Sequence, residues 1–258
     1  MLKVTRFDGL LMPILKGAAA LVLGVVGTVR AQSIWPTVNY GDAIELTSAE
    51  EHTADTNVTI RGKVTVKSGN HSQNASVTSI PVTFGSPSGE PDPAEIIVEG
   101  GTFGESHSKN NGKNEVTLGA DGGRGKVTVK GGAFRCLTFS ISGNTAPEAN
   151  GYIDFLRIEG GAAYLRQAYN YSTATARVVV AGGTYYSAHQ WYGTMFQKGP
   201  FLFEGVDGAT ITINRENTVK DLVANDASLR FTGASPVTIM ASGEAHTTCV
   251  LGTNVWFD

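Results

Sequence analysis

Aromatic residues are dense in the segment GGTYYSAHQWYGTMFQKGPFLF, and they are the first candidates for chemistry. Tyr185, Tyr186, Trp191 and Tyr192 combine apolar rings with hydroxyl or N–H groups, which suits contact with the faces and hydroxyls of sugars. Exposed rings would form a carbohydrate-binding surface. Buried rings would seal the core under a loop, and this is the interpretation we favour. The four residues are the candidate binding site.

Acidic and basic residues show no recognisable catalytic arrangement. Glycoside hydrolysis needs carboxylates within several ångströms of each other. The Asn-Thr-Asp, Asp-Asp and Gly-His-Gly motifs typical of polygalacturonase-like hydrolases are absent. Asp154 and Arg157 lie three positions apart, which places them on opposite faces of a regular strand. We therefore predict no catalytic residues, whereas acids converging with Arg or Lys in a groove would favour an enzyme.

Metal ligands are also scattered along the chain. Asp121 lies in GADGGRG, which is similar to Gly/Asp-rich calcium turns. The motif occurs once, however, and a plain β-turn explains it. The histidines lack the spacing of a metal site, and we expect them in solvated loops. They are His52, His71, His107, His189 and His246. We predict no metal and no cofactor.

One phrase recurs along the chain and must position these residues. Its alternating apolar residues indicate a strand with one buried face, and its Gly-Gly pair allows a sharp bend with positive φ. The following aromatic residues, Phe103, Phe134 and Tyr185, are predicted to return to the core and stack between rungs. Such a unit describes one coil of a β-solenoid. Its copies are AEIIVEGGTFG (94–104), GKVTVKGGAFR (125–135), DFLRIEGGAAY (154–164) and ARVVVAGGTYY (176–186).

The spacing of the phrase is typical of repeat proteins. The second glycines, Gly101, Gly132, Gly161 and Gly183, are separated by 31, 29 and 22 residues. Such spacing indicates a coil of about 20 residues with polar insertions, which we place at 104–124 and 140–152.

Apolar–Thr–apolar triplets predict further short strands whose threonines face outward. Stacked threonines would suit an ice-binding or crystal-binding surface, but the unequal repeat spacing argues against stacking at every rung. The triplets centre on Thr59, Thr65, Thr83, Thr117, Thr128, Thr212 and Thr238.

The phrases IIVEGGTF, VTVKGGAF and VVVAGGTYY resemble the repeats of secreted bacterial right-handed parallel β-helix proteins, including autotransporter-passenger and adhesin-like solenoids. The resemblance covers about residues 58–240 and rests on a motif general to that architecture. It implies export, a right-handed coil and a role in surface attachment or polysaccharide contact. We expect an all-β fold, namely a right-handed parallel β-helix with irregular loop insertions. A β-sandwich is the alternative.

The N-terminus has the pattern of a secretory signal peptide. A basic leader precedes the uncharged run 17–29, and small residues precede Gln32. The run is shorter than the roughly 20 residues that span a bilayer, although an uncleaved anchor is the alternative. We expect a signal peptide over 1–31, an N-terminal cap or lead-in over 32–57 and β-helix repeats over 58–258. The ending after Asn254 lacks an obvious polar cap, which favours a truncated C-terminus.

Charge and cysteine content limit the partners. Removing 1–31 leaves 16 basic and 22 acidic residues, a net charge of −6. Nucleic acid is therefore not an expected partner, because phosphate binding needs clustered Lys and Arg. We also expect no membrane insertion after signal cleavage. Cys136 and Cys249 are expected to be two buried thiols, since several rungs would separate them.

The leading hypothesis is a non-enzymatic secreted or cell-surface β-solenoid used for adhesion, structural display or carbohydrate contact. Its expected partner is a polysaccharide or a glycan of a host or cell surface. The alternative is a polysaccharide lyase or glycoside hydrolase of the β-helix type with an unrecognised site.

Overall fold

A computed structural model of the 258-residue chain describes residues 37–47, 58–71, 80–104, 114–187, 195–215, 222–233, 236–241 and 254–258. The expected signal peptide lies outside these residues. So do Trp191, Tyr192, Cys249 and four histidines, which are His52, His107, His189 and His246.

The described residues form an all-β fold with almost no helix. A 3-10 turn, Ala120–Gly122, is the one helical element in these ranges. The strands, in chain order, are β1 (Ala43–Leu46), β2 (Val58–Ile60), β3 (Lys63–Val66), β4 (Asn70–His71), β5 (Ile80–Phe84), β6 (Ala94–Val98), β7 (Thr102–Phe103), β8 (Asn114–Leu118), β9 (Gly125–Val129), β10 (Ala133–Ile141), β11 (Tyr152–Ile158), β12 (Ala162–Asn170), β13 (Thr175–Val180), β14 (Thr184–Ser187), β15 (Phe196–Gln197), β16 (Pro200–Gly205), β17 (Ile211–Arg215), β18 (Ser228–Thr232), β19 (Val237–Ala241) and β20 (Val255–Phe257).

The strands form two large parallel sheets. The nine-stranded sheet has the order β1-β3-β6-β9-β11-β13-β16-β18-β20. The eleven-stranded sheet has the order β2-β5-β8-β10-β12-β14-β17-β19, and β4, β7 and β15 pair beside this path. Each described pairing is parallel. Neighbours in each order follow the chain, which passes repeatedly from one sheet to the other.

The repeated phrase keeps its register across the nine-stranded sheet. Val64 pairs with Ile96, and Ile96 pairs with Val127, so these buried residues form one inward column. The register persists although 20 residues separate Ala43 from its partner Lys63 and 32 separate Val64 from Ile96. A slip of one residue would move every apolar side chain to the outer face, which fixes the pairing. The differences in length are therefore confined to the connections.

The predicted bends at the Gly-Gly pairs are confirmed. The second glycine has φ of 65° at Gly101, 64° at Gly132, 65° at Gly161 and 66° at Gly183, a region that side chains with a Cβ rarely adopt. Each turn also bonds to the turn before it. The Ala133 N–H donates to the Gly101 carbonyl oxygen at 2.9 Å, for example. The turns thus stack in the same order as the strands.

The predicted aromatic stack is confirmed in part. Phe103 and Phe134 are stacked, with ring centroids 5.6 Å apart and planes 18° from parallel. Tyr185 is also in the core, but Ala163 occupies the strand position between it and Phe134. Tyr185 instead meets Phe203 edge-on, with ring centroids 5.3 Å apart.

Aromatic contacts join the inner faces of the two sheets into one apolar core. Phe139 on β10 lies 5.1 Å from Phe155 on β11, and Phe196 on β15 lies 5.0 Å from Phe201 on β16. Burying each such ring contributes roughly 1.5–3 kcal/mol. The core therefore holds both sheets in place and leaves their outer faces to carry function.

One predicted boundary differs from the structure. The expected insertion 104–124 contains β8, which pairs with β5 and β10, so the polar connection is shorter than predicted. The triplet around Thr117 is the signal that marks this strand. The expected lead-in 32–57 contains β1, which pairs with β3.

Candidate functional site

The structure separates the two adjacent tyrosines of the candidate site. Tyr185 is 1% exposed, and burial raises the pKa of its phenol. Its hydroxyl has no hydrogen-bond partner among the residues that the structure describes. Tyr185 is therefore a core residue, as the buried interpretation has it, and cannot meet a ligand. Tyr186 points to the opposite face of β14 and is half-buried. Trp191 and Tyr192 lie outside the described residues.

Tyr186 belongs to an outward column that crosses three neighbouring strands. It pairs in register with Tyr164 on β12, which pairs with Arg135 on β10. The rings of Tyr164 and Tyr186 are stacked, with centroids 4.6 Å apart and planes within 10°. The Arg135 guanidinium carbon lies 4.0 Å from the centroid of the Tyr164 ring. We call Arg135, Tyr164 and Tyr186 the tyrosine column.

The tyrosine column exposes polar groups along its outer edge. All three side chains are half-buried, because each covers its neighbour. The hydroxyls of Tyr164 and Tyr186 make no hydrogen bond with other described residues. A cation over an aromatic ring contributes about 0.5–1 kcal/mol at an exposed site, so the contact favours a position of the Arg135 guanidinium over the Tyr164 ring. The column can therefore offer one guanidinium and two phenols to a ligand lying across the strands.

A second aromatic group lies on the same outer face, toward the end of β12. Tyr169 is stacked with Tyr171, whose side chain is 54% exposed, at a centroid distance of 5.9 Å. The Gln197 amide donates to the Tyr169 hydroxyl at 3.2 Å. Tyr169 follows Tyr164 by five positions, which is about 16 Å at ~3.3 Å per strand residue. Tyr164, Tyr169 and Tyr171, with the rest of the tyrosine column, form what we call the tyrosine face.

Hydroxyl groups continue the face on earlier strands. Thr59 on β2, Thr83 on β5 and Thr117 on β8 are in register, and Thr117 pairs with Ser140 on β10. These three threonines are stacked although their repeats differ in length, but the next two positions of the column are Ser140 and Tyr169, so threonines do not stack at every rung. The extra residues lie in the connections and leave the strands aligned. We call Thr59, Thr83, Thr117 and Ser140 the hydroxyl column. Ser140 pairs with Tyr169, so this column leads to the tyrosine face.

The outer face of the nine-stranded sheet carries ion pairs instead. Glu95 is 8% exposed, and its carboxylate lies 3.5 Å from Lys63 Nζ and 3.4 Å from Lys126 Nζ. Thr128 also donates its hydroxyl hydrogen to Glu95 at 2.9 Å. Lys63, Glu95 and Lys126 border an open cleft of about 490 Å³. Acidic and basic groups alternate across the strands here, and they satisfy one another.

Asp154 and Arg157 are on the same face of β11, so the prediction that they face opposite ways is wrong. A β-bulge between Asp154 and Leu156 inserts one residue and reverses the alternation. Asp154 accepts two hydrogen bonds from Arg177 at 2.6 Å each, and Glu204 accepts a third at 2.6 Å. Arg157 bonds to Glu159. The sequence pair is thus divided between two different ion pairs.

The group of Asp154, Arg177 and Glu204 resembles the acid-plus-arginine arrangement of an enzyme in composition only. The hydrogen bonds that Arg177 donates to Asp154, and then the charges of Asp154 and Glu204, raise the pKa of Arg177. An arginine that accepts a proton would need a lowered pKa. Both carboxylates are also occupied by the guanidinium. The group therefore acts as a clamp that ties β11, β13 and β16 together.

Asp121 and His71 are the described members of the predicted turn and of the predicted loop histidines. Asp121 lies in the 3-10 turn with φ of 66°, and its carboxylate accepts a hydrogen bond from Arg61 at 2.8 Å. His71 is buried and pairs in register with Phe103, so the expectation of a solvated loop is wrong for this residue. Its Nε2 donates to the Ser68 carbonyl oxygen at 2.8 Å. No group of three or more His, Cys, Asp or Glu within the described ranges could hold a metal ion.

Cys136 is a buried thiol, as predicted, and donates to the Thr138 carbonyl oxygen at 3.0 Å. Burial raises its pKa.

In the described part of the chain, no helix has the length and apolar character of a membrane span. Comparisons with protein-family models, curated proteins and solved structures find no match.

Proposed function

We propose that this chain is an exported, non-enzymatic right-handed parallel β-helix that binds polysaccharide through the tyrosine face. Strand order that follows the chain, uniform parallel pairing and stacked glycine turns support the β-helix. Its right-handed sense rests on the general rule for parallel crossovers. Export rests on the signal-peptide pattern of 1–31.

The observation that carries the binding proposal is the tyrosine column. Aromatic side chains on a sheet face usually point inward, where burial stabilises them, yet Tyr164 and Tyr186 point outward from adjacent strands. Their half-buried rings are ordered by stacking, so a ligand would lose little additional side-chain entropy on binding. Phenol edges and hydroxyls in a row match the alternating apolar and hydroxyl groups of a sugar chain.

The rest of the face extends this chemistry in two directions. Tyr171 presents an exposed ring beside Tyr169, and Gln197 adds an amide. The hydroxyl column supplies further donors and acceptors. The described part of the nine-stranded sheet has a comparable pair, Arg230 over the exposed ring of Trp256, but there the arginine has Asp258 at 4.0 Å as its counter-charge. Catalysis is disfavoured because the clamp around Arg177 has neither an unoccupied base nor an unoccupied acid.

The test is retention of the full chain, produced with its leader in a secreting host, on gels containing different soluble polysaccharides. We expect at least one polysaccharide to retard the protein. Replacing Tyr164 and Tyr186 together by Ala should weaken binding at least about tenfold, which corresponds to ~1.4 kcal/mol.

Tyr152→Ala is the matched control, since this half-buried tyrosine lies under Arg177 on the other sheet. It should bind as the unmodified protein does. The proposal fails if no polysaccharide retards the protein, or if the double variant binds as strongly as the control.

A further inference from the structure

We infer that Arg135 makes the tyrosine column selective for an acidic polysaccharide, with the carboxylate of a uronic acid sugar held by its guanidinium. This inference rests on the proposed function and assigns its ligand class. The first observation is the position of Arg135 at the end of the column. Its guanidinium carbon lies 4.0 Å from the Tyr164 ring centroid, and its side chain is half-buried on the outer face.

The second observation is that no counter-charge for Arg135 lies among the described residues. Arg135 forms no ion pair and no side-chain hydrogen bond with the residues that the structure describes. Five of the other described arginines differ in this respect, because each has a carboxylate within 4.0 Å: Arg61, Arg124, Arg157, Arg177 and Arg230. Guanidinium carries five N–H donors and no acceptor. Within the described part of the chain, all five donors of Arg135 therefore remain without a hydrogen-bond acceptor.

The third observation is that the guanidinium lies over the Tyr164 ring, which restricts the positions that its donors can take. A guanidinium lying on a ring presents its N–H groups at the edge of the stack, where two parallel hydrogen bonds to one carboxylate can form. Such bidentate bonds give geometric specificity as well as affinity. A sugar carboxylate bound to Arg135 would place the adjoining sugars over Tyr164 and Tyr186, at strand intervals of about 4.8 Å.

Charge complementarity therefore favours a uronate polymer over a neutral one. A sulfated polymer shares the negative charge but presents a tetrahedral group, and it serves as a separate arm of the test. The net charge of the chain, −3, opposes unspecific attraction of polyanions. Selective binding of a uronate polymer would thus depend on a local site.

The experiment compares alginate with carboxyl-reduced alginate, which has the same backbone without the charge, and with dextran sulfate. The full chain should bind alginate at least about tenfold more tightly than either comparison polymer. Arg135→Gln should abolish the preference for alginate over its reduced form while retaining the affinity for the reduced form. Arg135→Lys should recover part of the preference, because it keeps the charge without the fork.

Arg157→Gln is the matched control, since Arg157 is a half-buried outward arginine on the other sheet. Its preference for alginate should be unchanged, and circular dichroism should show that both variants are folded. The inference is overturned if neutral and acidic polymers bind equally, if dextran sulfate binds as tightly as alginate, or if Arg135→Gln keeps the preference. If the unmodified chain shows no preference for alginate but its binding still depends on Tyr164 and Tyr186, the inference fails and the proposed function stands. If the chain binds no polysaccharide at all, both fail.

Discussion

Gly183 lies directly over Gly161, so that a Cβ on Gly183 would stand 2.6 Å from the Gly161 carbonyl oxygen. The same residue has φ of 66°, and the Thr184 N–H that follows it donates to the Gly161 carbonyl at 3.1 Å. Glycine is required here for two separate reasons, the backbone angle and the close approach of the preceding turn. Stacked turns of this kind keep successive strands aligned, and the tyrosine column depends on that alignment.

Replacing Gly183 by Ala should therefore destabilise the protein by more than the backbone angle alone accounts for. Positive φ costs a residue with a Cβ roughly 1–2 kcal/mol, and the overlap with Gly161 adds about 1–3 kcal/mol. Gly151→Ala is the control, because Gly151 has φ of 82° but no atom within 4 Å of the added Cβ. Denaturant unfolding measures both. Equal losses of unfolding free energy would contradict the stacked-turn account.

Removing the hydroxyl of Tyr185 should not harm the protein at neutral pH. The hydroxyl is buried without a described partner, and an unsatisfied buried group costs about 1–3 kcal/mol. Tyr185→Phe should therefore have an equal or higher free energy of unfolding at pH 7, measured by urea denaturation. A clear loss of stability at pH 7 would show that the hydroxyl has a partner.

The same substitution should change the alkaline limb of the stability curve. Burial raises the pKa of Tyr185 in the folded state above the unfolded value of about 10, so the fold favours the neutral phenol. The free energy of unfolding is therefore unaffected by this group below pH ~10 and falls as the pH rises above it. The unmodified protein should lose stability more steeply above pH ~10 than Tyr185→Phe does. Parallel curves in unfolding measurements from pH 8 to 11 would argue against a buried phenol.

The clamp around Arg177 should stabilise the fold and leave binding unaffected. Arg177→Met leaves two half-buried carboxylates, Asp154 and Glu204, without their cation. We expect a loss of about 1–3 kcal/mol in unfolding free energy and unchanged polysaccharide retention. Arg157→Met, which removes a more exposed pair with Glu159, should cost under about 1 kcal/mol. Loss of retention with stability intact would instead place Arg177 in a binding site.

Glu99 should stabilise the fold at neutral pH and lose this contribution in acid. Its hydrogen bond from Lys67 lowers the pKa of this carboxyl below the ordinary 4.5. Because the folded pKa is depressed, the contribution is present above the unfolded pKa and is lost as the pH falls through the folded one. Glu99→Gln should flatten the fall in unfolding free energy below pH ~4.5, and Lys67→Met should flatten it similarly. An unchanged acid limb in both variants would contradict this ion pair.

The sequence predicts the local parts of this fold well. Alternating valines and Gly-Gly pairs specify a strand and a bend within one short phrase, so the buried face and the positive φ at Gly132 follow directly. The bulge after Asp154 could not be predicted, because no residue type marks the extra position. The burial of His71 could not be predicted either, because its short strand, β4, carries too few residues to show alternation.

The sequence contains a signal for the outward direction of the tyrosine column, but none for the contacts within it. Phe134 comes two positions after the second glycine of its phrase and points inward, whereas Arg135, Tyr164 and Tyr186 come three positions after theirs. The number of positions after the second glycine therefore indicates which face a residue takes. The density of aromatic residues does not, since it groups the inward Tyr185 with the outward Tyr186. The contact between Arg135 and Tyr164 could not be predicted from the sequence, because it depends on the register of strands that are joined by connections of different length.

The most direct test of the central claim is a crystal structure of the full chain with a bound uronate oligosaccharide. The account predicts that the sugar lies across β10, β12 and β14, with a carboxylate on the Arg135 guanidinium and neighbouring sugars against Tyr164 and Tyr186. A sugar bound instead to the outer face of the nine-stranded sheet, with the tyrosine column uncovered, would contradict it.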